Sequence, residues 1–571
     1  MRIAVASDGS GASVSGAGLI CLLNEDGSRV GPAEAVPSLA AAVAAREPES
    51  GPRWVWASAG SRYAALLRGG TRVAACHDVE LTEALLLGHE GRFGEQASLE
   101  AAWARLRGAE TAPRQRLPVA AASAQTELFP VFEPGFRTAR EELDAVIEVH
   151  AAQQRRIAAT EHPWRLSLLA AAESAGGLAA AEMTEDGLPW RAEVHDEILT
   201  ELLGPRPSPS MRPRKLAELA DAIRAALNAP ALNPDSPAQL TKAFAAEGVS
   251  LSSTRAHVLR GVDHPAVPLL LEYKELARLH AADGWEWLDT WVSAGRFRPE
   301  YVVGGVVSGR WASRGGGALQ IPKVLRRAVV ADPGWVLVVA DAAQLEPRVL
   351  AALAGDNAFA EAAAAGDLYA ALAGALGGDR DKAKVALLSA MYGGATGEAA
   401  QLLSVLRRRF PAAAGYVDDA ARAGEEGRLV RSRLGRTCPP PSAQWRELTG
   451  DGADPRASRA LRSRGRFTRN FVVQASAADW ALVLLACLRR RLAALPVVRG
   501  PEVSSSGGKD RAHLVFFQHD EVVVHSPAGT AEAVLRAASE SAEEAGRLVF
   551  GAGPVRFPLT TSVVSCYADA V

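Results

Sequence analysis

Trp335-Val-Leu-Val-Val-Ala-Asp341-Ala-Ala-Gln344-Leu-Glu346-Pro-Arg348 reads as a buried strand that ends in an acid and turns at once into a helix. The run from Trp335 to Ala340 carries no charge, as a strand covered on both faces requires. Pro347 suits a first helical turn, where its missing N–H is no loss, so Glu346 and Arg348 fall at the helix start. An acid at the mouth of such a strand can ligate a metal or cap the helix, and this stretch alone leaves both open. A second stretch has a related form: Phe516-Phe-Gln518-His519-Asp520-Glu521-Val522-Val-Val524, two apolar strands around a polar tip. A tight hairpin turn ordinarily carries Asn-Gly or Asp-Gly. Placing His-Asp-Glu there is costly without partners, which favours a functional role over a plain turn.

Two helical patterns stand between and beside these strands. Arg380, Lys384, Leu388 and Tyr392 recur every four residues, one slowly drifting helix face with cations at one end and an aromatic at the other. Cations suit a triphosphate and an aromatic suits a base pair, although in isolation a surface helix with Tyr392 tucked into a core explains the spacing as well. Arg466, Asn470 and Gln474 also sit at steps of four, a face able to hydrogen-bond sugars and base edges in a minor groove. Two basic runs, Arg296–Arg327 and Arg456–Arg469, flank the carboxylate segments and suggest phosphate contacts. The net charge of −2 does not oppose this, because a nucleic-acid enzyme needs a local basic stripe and not a basic total.

The wider bounds are those of a globular protein of several units. The chain has 571 residues, too many for one ordinary core. Its five cysteines are scattered without a CxxC pair, which reads as reduced thiols in a cytoplasmic protein. No apolar run is expected to reach membrane-spanning length, and Met1–Gly9 lacks the pattern of a signal peptide. Residues 1–108 alternate short strands with Ala-rich helical patterns, as in a small α/β domain, and 109–135 read as a Pro/Ala/Gln-rich linker. From 136 the pattern is helical; Ser236 and Pro237 open one helix as cap and first-turn proline. A long helical block is expected from Ala351 to about Ala423, and a loop at Ser504–Gly508.

In their order and spacing these segments resemble the family A DNA polymerases, the polymerase I group. Asp341–Arg348 resembles that family's motif A, Arg380–Gly393 its motif B, and Phe517–Val522 its motif C. Ser308-Gly309-Arg310 and Leu319-Gln320-Ile321-Pro322 resemble the approach from thumb to palm, and His264–Tyr273 the thumb helices. The resemblance covers roughly residues 130 to 571. It implies an α+β right-hand architecture: thumb and connection over 136–330, and palm over 331–571 with fingers inserted at about 352–455. It implies a template-directed DNA polymerase acting in replication or repair, a monomer without a membrane, in the cytoplasm with the nucleoid. Asp341 and Asp520 would ligate two magnesium ions, replaceable by manganese, with Glu521 in support. Arg380 and Lys384 would grip the dNTP triphosphate, Lys384 as a catalytic cation. Leu388 would face the sugar, Tyr392 the nascent pair, and Glu346 would exclude a 2′-OH, with Gln344 in the same nucleotide-binding set. On primer-template DNA, Arg310, Gln474 and His519 would serve the primer side and Arg466 and Asn470 the template side, with Gln320 also binding DNA. Ala342-Ala343, Pro347, Leu388 and Trp311 depart from the family's usual residues, which touches rate and selectivity more than the reaction.

The same resemblance places a 3′–5′ exonuclease domain before the polymerase. Val73–Leu87, with Asp78, resembles its second acidic motif, but the first strand offers only Asp8 and no partner Glu. A two-metal nuclease without its acids should not work, so 1–108 is expected to be a degenerate exonuclease-like domain. The alternatives are an enzyme that retains exonuclease activity, a single-subunit RNA polymerase, and a DNA-binding relative without catalysis.

Overall fold

The computed structural model describes residues 1–7, 16–109, 136, 138–208, 211–314, 320–364, 368–373, 378–393, 404, 407–450, 454–497 and 511–570. Nearly all of the 109–135 linker, the 504–508 loop, Asp8 and Leu319 lie outside them. The chain divides into two units: Met1–Asp186 with Glu300–Ala312 and Pro333–Val563, and Gly187–Pro299 with Ser313–Asp332 and Val564–Val571.

The first unit contains two sheets. The N-terminal one has strands β1 (Arg2–Ser7), β2 (Gly18–Leu23), β3 (Glu34–Val36), β4 (Arg53–Trp56) and β5 (Ala75–Asp78), in the order β3-β2-β1-β4-β5. β1 pairs antiparallel with β2 and parallel with β4. Side chains alternate along a strand, and the sequence follows that period. Ile3, Val5, Trp54 and Trp56 bury on one face with Leu39, Tyr63 and Leu178, while Ala4, Ala6 and Val55 bury on the other with Leu99, Leu143 and Val146. Two helices beyond the linker, Ala139–Ala158 and Pro163–Asp186, therefore supply part of the cover of this sheet.

The second sheet holds the strands Trp335–Ala342, His513–Gln518, Glu521–Pro527 and Leu559–Val564, with Trp335–Ala342 between the last two. Val338, Ala340, Ala342, Val522 and Val524 pack into one large core with the helices Pro455–Ala493 and Ala531–Phe550. Pro455–Ala493 corrects one expectation, since it contains an 18-residue window apolar enough to cross a membrane. That window is 83% buried within the protein, so its apolarity is that of a core helix. The expected helical block from 351 to 423 is likewise broken up. It consists, among the described residues, of Leu345–Ala354, Asn357–Ala364, Leu368–Ala373, Arg380–Met391 and Pro411–Glu425. Gly355 ends the first at φ 62, and the buried Asp356 starts two others, accepting from Phe359 N at 3.0 Å and Ala413 N at 3.1 Å.

The second unit is mostly helical, with Ala192–Leu203, Arg214–Ala226, Pro237–Ala246, Ala266–Asp283 and Trp285–Trp291. Ser236 caps Pro237–Ala246 as the sequence predicts, accepting from Gln239 N at 3.4 Å. Trp190, His195, Trp287 and Phe297 form its aromatic centre.

Candidate active site

Strand register alone brings three carboxylates together. Asp341 lies directly opposite Glu521 in the antiparallel pair. Gln518 faces Glu521 across the hairpin, so His519 and Asp520 form its two-residue turn. The Asp520 carbonyl accepts from Ala342 N at 3.2 Å, tying the turn to the neighbouring strand end. A slip of one residue would turn Asp341 to the opposite face. The helix-cap reading of Asp341 does not hold: the helix starts at Leu345, its cap position is Gln344, and no side chain caps it.

Four non-glycine residues among those described have positive φ, and two of them flank these aspartates: Gln344 at 56° and His519 at 57°. Such a conformation costs about 1–2 kcal/mol and persists where surrounding structure over-determines it. Arg348 does so for Gln344. It is buried, and its guanidinium donates to the carbonyls of Ala343 (2.9 Å), Ala363 (3.0 Å) and Arg556 (3.2 Å). The Gln344 amide oxygen accepts from Leu368 N at 3.1 Å.

The electrostatics are those of crowded negative charge. Burial, then repulsion from Asp520 and Glu521, pushes the Asp341 carboxyl up to about 7, with Lys384 acting in the opposite sense. Burial pushes Asp520 up to about 6, opposed by Arg310 and reinforced by Glu346 and Glu521. Burial raises Glu346 as well, and its ion pair with Arg310 holds it down. Asp341, Asp520, Glu521, Lys384, Arg310, Glu346 and His519 thus share one site. The donor set is all oxygen and short of positive charge, which fits a hard divalent cation. No group of three or more His, Cys, Asp or Glu among the described residues is gathered to enclose a metal. Magnesium does not need one, since one or two carboxylates and substrate oxygens suffice.

Arg380–Met391 is a helix, with Arg380 and Lys384 exposed and Leu388 half-buried. Tyr392 packs against the main core just past its end. A Cβ built on Gly393 would lie 3.4 Å from the Arg466 stem, so the Tyr392 end of this segment adjoins the Arg466 face of the long helix. Along that helix Arg466 is exposed, and Asn470 and Gln474 are half-buried. Gln320 belongs to the second unit, where its amide oxygen accepts from Arg278 at 3.5 Å.

The basic runs prove mixed. Arg469 is buried, donates to Met391 O at 2.8 Å and pairs with Asp418; Arg464 donates to Pro439 O at 2.5 Å. Arg459, Arg462 and Arg466 remain exposed. In the other run Arg296 pairs with Asp332, and Arg326 stacks over the Tyr567 ring at 4.3 Å. These arginines hold structure, a role that composition cannot separate from phosphate binding. Sequence reasoning also missed Arg436, buried against Glu173 at 2.5 Å and Asp479 at 2.9 Å; its only local signal is the turn residue Gly435.

In the N-terminal sheet Asp78 is fully engaged. Its two carboxylate oxygens accept from Leu81 N at 2.9 Å and Ala59 N at 2.7 Å, capping the helix Val79–His89. At the end of β1, Ser7 meets Arg62, which is paired with Glu142.

Comparison with known proteins agrees with this geometry. The description of DNA polymerase family A matches residues 210–563, more than half of the chain. The chain belongs to DNA polymerase family A. Among curated relatives, DNA polymerase I of Chloroflexus aurantiacus is 26% identical over 48% of this chain and 29% of its own length. The thermostable DNA polymerase I of Thermus aquaticus is 26% identical over 54% of this chain and 37% of its own. The chain therefore matches about a third of the length of these relatives. Among solved structures, the POL domain of Pol1 from M. smegmatis, in complex with DNA primer-template and dNTP, has a TM-score of 0.72 at 20% identity. It covers 100% of this chain and 96% of its own, so the likeness of fold extends over the N-terminal sheet as well.

Proposed function

We propose that this family A member is a template-directed DNA polymerase, adding dNTPs to a primer 3′-OH in DNA replication or repair at the nucleoid. The observation that carries the reading is the meeting of Asp341 with Glu521 and the His519–Asp520 turn at adjoining strand ends, with Asp341 pushed up by burial and by Asp520 and Glu521, and Asp520 by burial and by Glu346 and Glu521. Asp341 and Asp520 would hold two magnesium ions, or manganese, with Glu521 shaping the field around them. When bound, these ions lower the pKa of the primer hydroxyl and offset charge on the phosphates.

The chain's own residues do the positioning, which is most of what phosphoryl transfer asks of a protein. Arg380 and Lys384 present exposed cations on one helix face for the triphosphate. Lys384 also acts on Asp341, so nucleotide grip and acid pair are electrostatically joined. Leu388 would offer an apolar wall to the sugar, and Glu346, with Gln344 in the same nucleotide-binding set, would exclude a 2′-OH. Tyr392 would stand at the base pair; Arg310, His519 and Gln474 would serve the primer side, Arg466 and Asn470 the template side, and Gln320 would bind DNA.

The N-terminal sheet is read as a structural exonuclease-like domain without nuclease activity. Asp78 has both oxygens committed to backbone N–H groups and is spent as a cap. Primer extension with dNTPs or rNTPs, with and without magnesium, tests the main reading. Extension with dNTPs and magnesium is expected; its absence under every condition overturns the reading. A 3′-mismatched primer incubated with metal and no nucleotide is expected to stay intact. Steady shortening that tracks the purified protein overturns the structural reading of the N-terminal sheet.

A further inference from the structure

Arg310 is fixed from behind. Gly309, its neighbour, holds φ 86, and a Cβ there would overlap the Arg436 guanidinium. Arg436 cannot yield, because Glu173 (2.5 Å) and Asp479 (2.9 Å) pin it in a buried cluster, and Ser432 Oγ donates to Asp479 at 2.6 Å. From this anchored backbone the Arg310 Nη2 donates to Glu346 Oε1. Glu346 sits in the first turn of its helix with its side chain 16% exposed. Among the described residues Arg310 is the only side chain bonded to it.

We propose that Arg310 is a specificity-determining residue for the sugar of the incoming nucleotide, because it positions the Glu346 carboxylate and occupies its acceptor oxygen. This rests on the polymerase reading above. A glutamate without a partner is a poor barrier to ribose. Its flexible stem can turn aside, and its free oxygens can accept a hydrogen bond from a 2′-OH and so favour the wrong sugar. With an oxygen held by a guanidinium, the carboxylate keeps one rotamer and has less to offer that hydroxyl. Arginine suits this double duty because its five donors lie in a rigid fork. One edge holds Glu346 and the other remains for the primer terminus. The residue that meets the last primer nucleotide would then also set selection at the next one. Lysine keeps the charge but is a point donor and cannot serve both.

The test is single-nucleotide addition to a matched primer-template, with kcat/KM for dNTP and for the matching rNTP. The proteins are the parent, Arg310→Lys, Arg310→Gln, Glu346→Ala and the double variant Arg310→Lys/Glu346→Ala. The dNTP/rNTP ratio is expected to fall about tenfold or more in both Arg310 single variants. In the Glu346→Ala background, Arg310→Lys is expected to change the ratio by less than about twofold, since the partner through which it acts is gone. A residue that only holds the primer or the fold would slow dNTP and rNTP alike. An unmoved ratio in both Arg310 variants, or an equal shift with and without Glu346, overturns the inference while leaving the polymerase reading intact. A parent that extends no primer overturns the polymerase reading, and the inference falls with it.

Discussion

Asp78 and Asp341 occupy the same place in their local patterns: each stands at the end of a buried strand, just before a helix. Both carboxyls are pushed up, to about 6 and about 7. They nevertheless do opposite things. The helix after Asp78 begins at the next residue, so its Leu81 N–H reaches back to one oxygen, and Ala59 N, at the start of the helix Ala59–Arg68, occupies the other. Three residues separate Asp341 from its helix, and the left-handed Gln344 ends that connection. Asp341 is left facing Glu521 and the Asp520 turn. A raised carboxyl is therefore no sign of function by itself. What separates the two is whether the charge is answered by backbone dipoles or left beside other charges.

The sharpest way to break this contrast is to delete each acid and follow primer extension. Asp341→Ala and Asp520→Ala are each expected to lower nucleotide addition by about a thousandfold or more, with DNA binding retained, because several kcal/mol of transition-state stabilisation leave with the metal site. Asp78→Ala is expected to change the rate by less than about twofold while lowering the melting temperature, because loss of a buried cap costs about 2 kcal/mol. Near-normal extension by either of the first two, or collapse of activity in a folded Asp78→Ala, would sink the assignment.

That contrast also marks how far the sequence could be read. The strand ending at Asp341, the hairpin around Asp520 and the helix from Arg380 were legible because each carries a strong period and a polar break at one end. The order of these segments then pointed to the family. The Arg310–Glu346 pair, the Arg348 clamp and the Arg436 cluster were not legible. Each joins residues far apart in the chain through a single long side chain, and no local spacing records such a contact. Asp78 was ambiguous for the opposite reason: a cap and a metal ligand use the same residue at the same place. The two helices that cover the N-terminal sheet from beyond the linker belong with the unreadable part, since an apolar helix face does not name the surface it covers.

A smaller effect tests the helix whose Lys384 acts on Asp341. Leu388 follows Lys384 by about one turn on the helix Arg380–Met391, so the register that brings Lys384 to bear on Asp341 would put Leu388 at the sugar. Leucine has an apolar body and no hydroxyl, so the parent is expected to discriminate against dideoxynucleotides. Leu388→Tyr is expected to relax that by about 1–3 kcal/mol, the worth of one hydrogen bond at a dry site. The measurement is the ratio of kcat/KM for ddNTP and dNTP on one primer-template. An unchanged ratio would mean that another residue of this helix faces the sugar.

The last and smallest effect asks whether the charge on Asp78 is wanted at all. Burial raises its folded pKa from 3.8 to about 6, and the backbone donors only partly offset that. Between those values the folded protein binds more protons than the unfolded chain, so this group's contribution to stability falls as pH rises from about 4 to about 6, then levels off. Asn at this position keeps an acceptor oxygen of nearly the same shape and cannot ionise. Asp78→Asn should therefore gain on the parent through that window, by about 1–2 kcal/mol, and hold the difference above it. Denaturant unfolding of both proteins at several pH values from 4 to 8 gives the curve. His77, buried next to it, is pushed down to about 4 and weakens the fold as pH falls below 6.5, but it does so in both proteins and cancels in the difference. A variant that instead loses ground as pH rises would mean that the folded state favours the carboxylate, through a cation or donors beyond the two backbone N–H groups. Asp78 would then be closer in kind to Asp341 than its hydrogen bonds indicate.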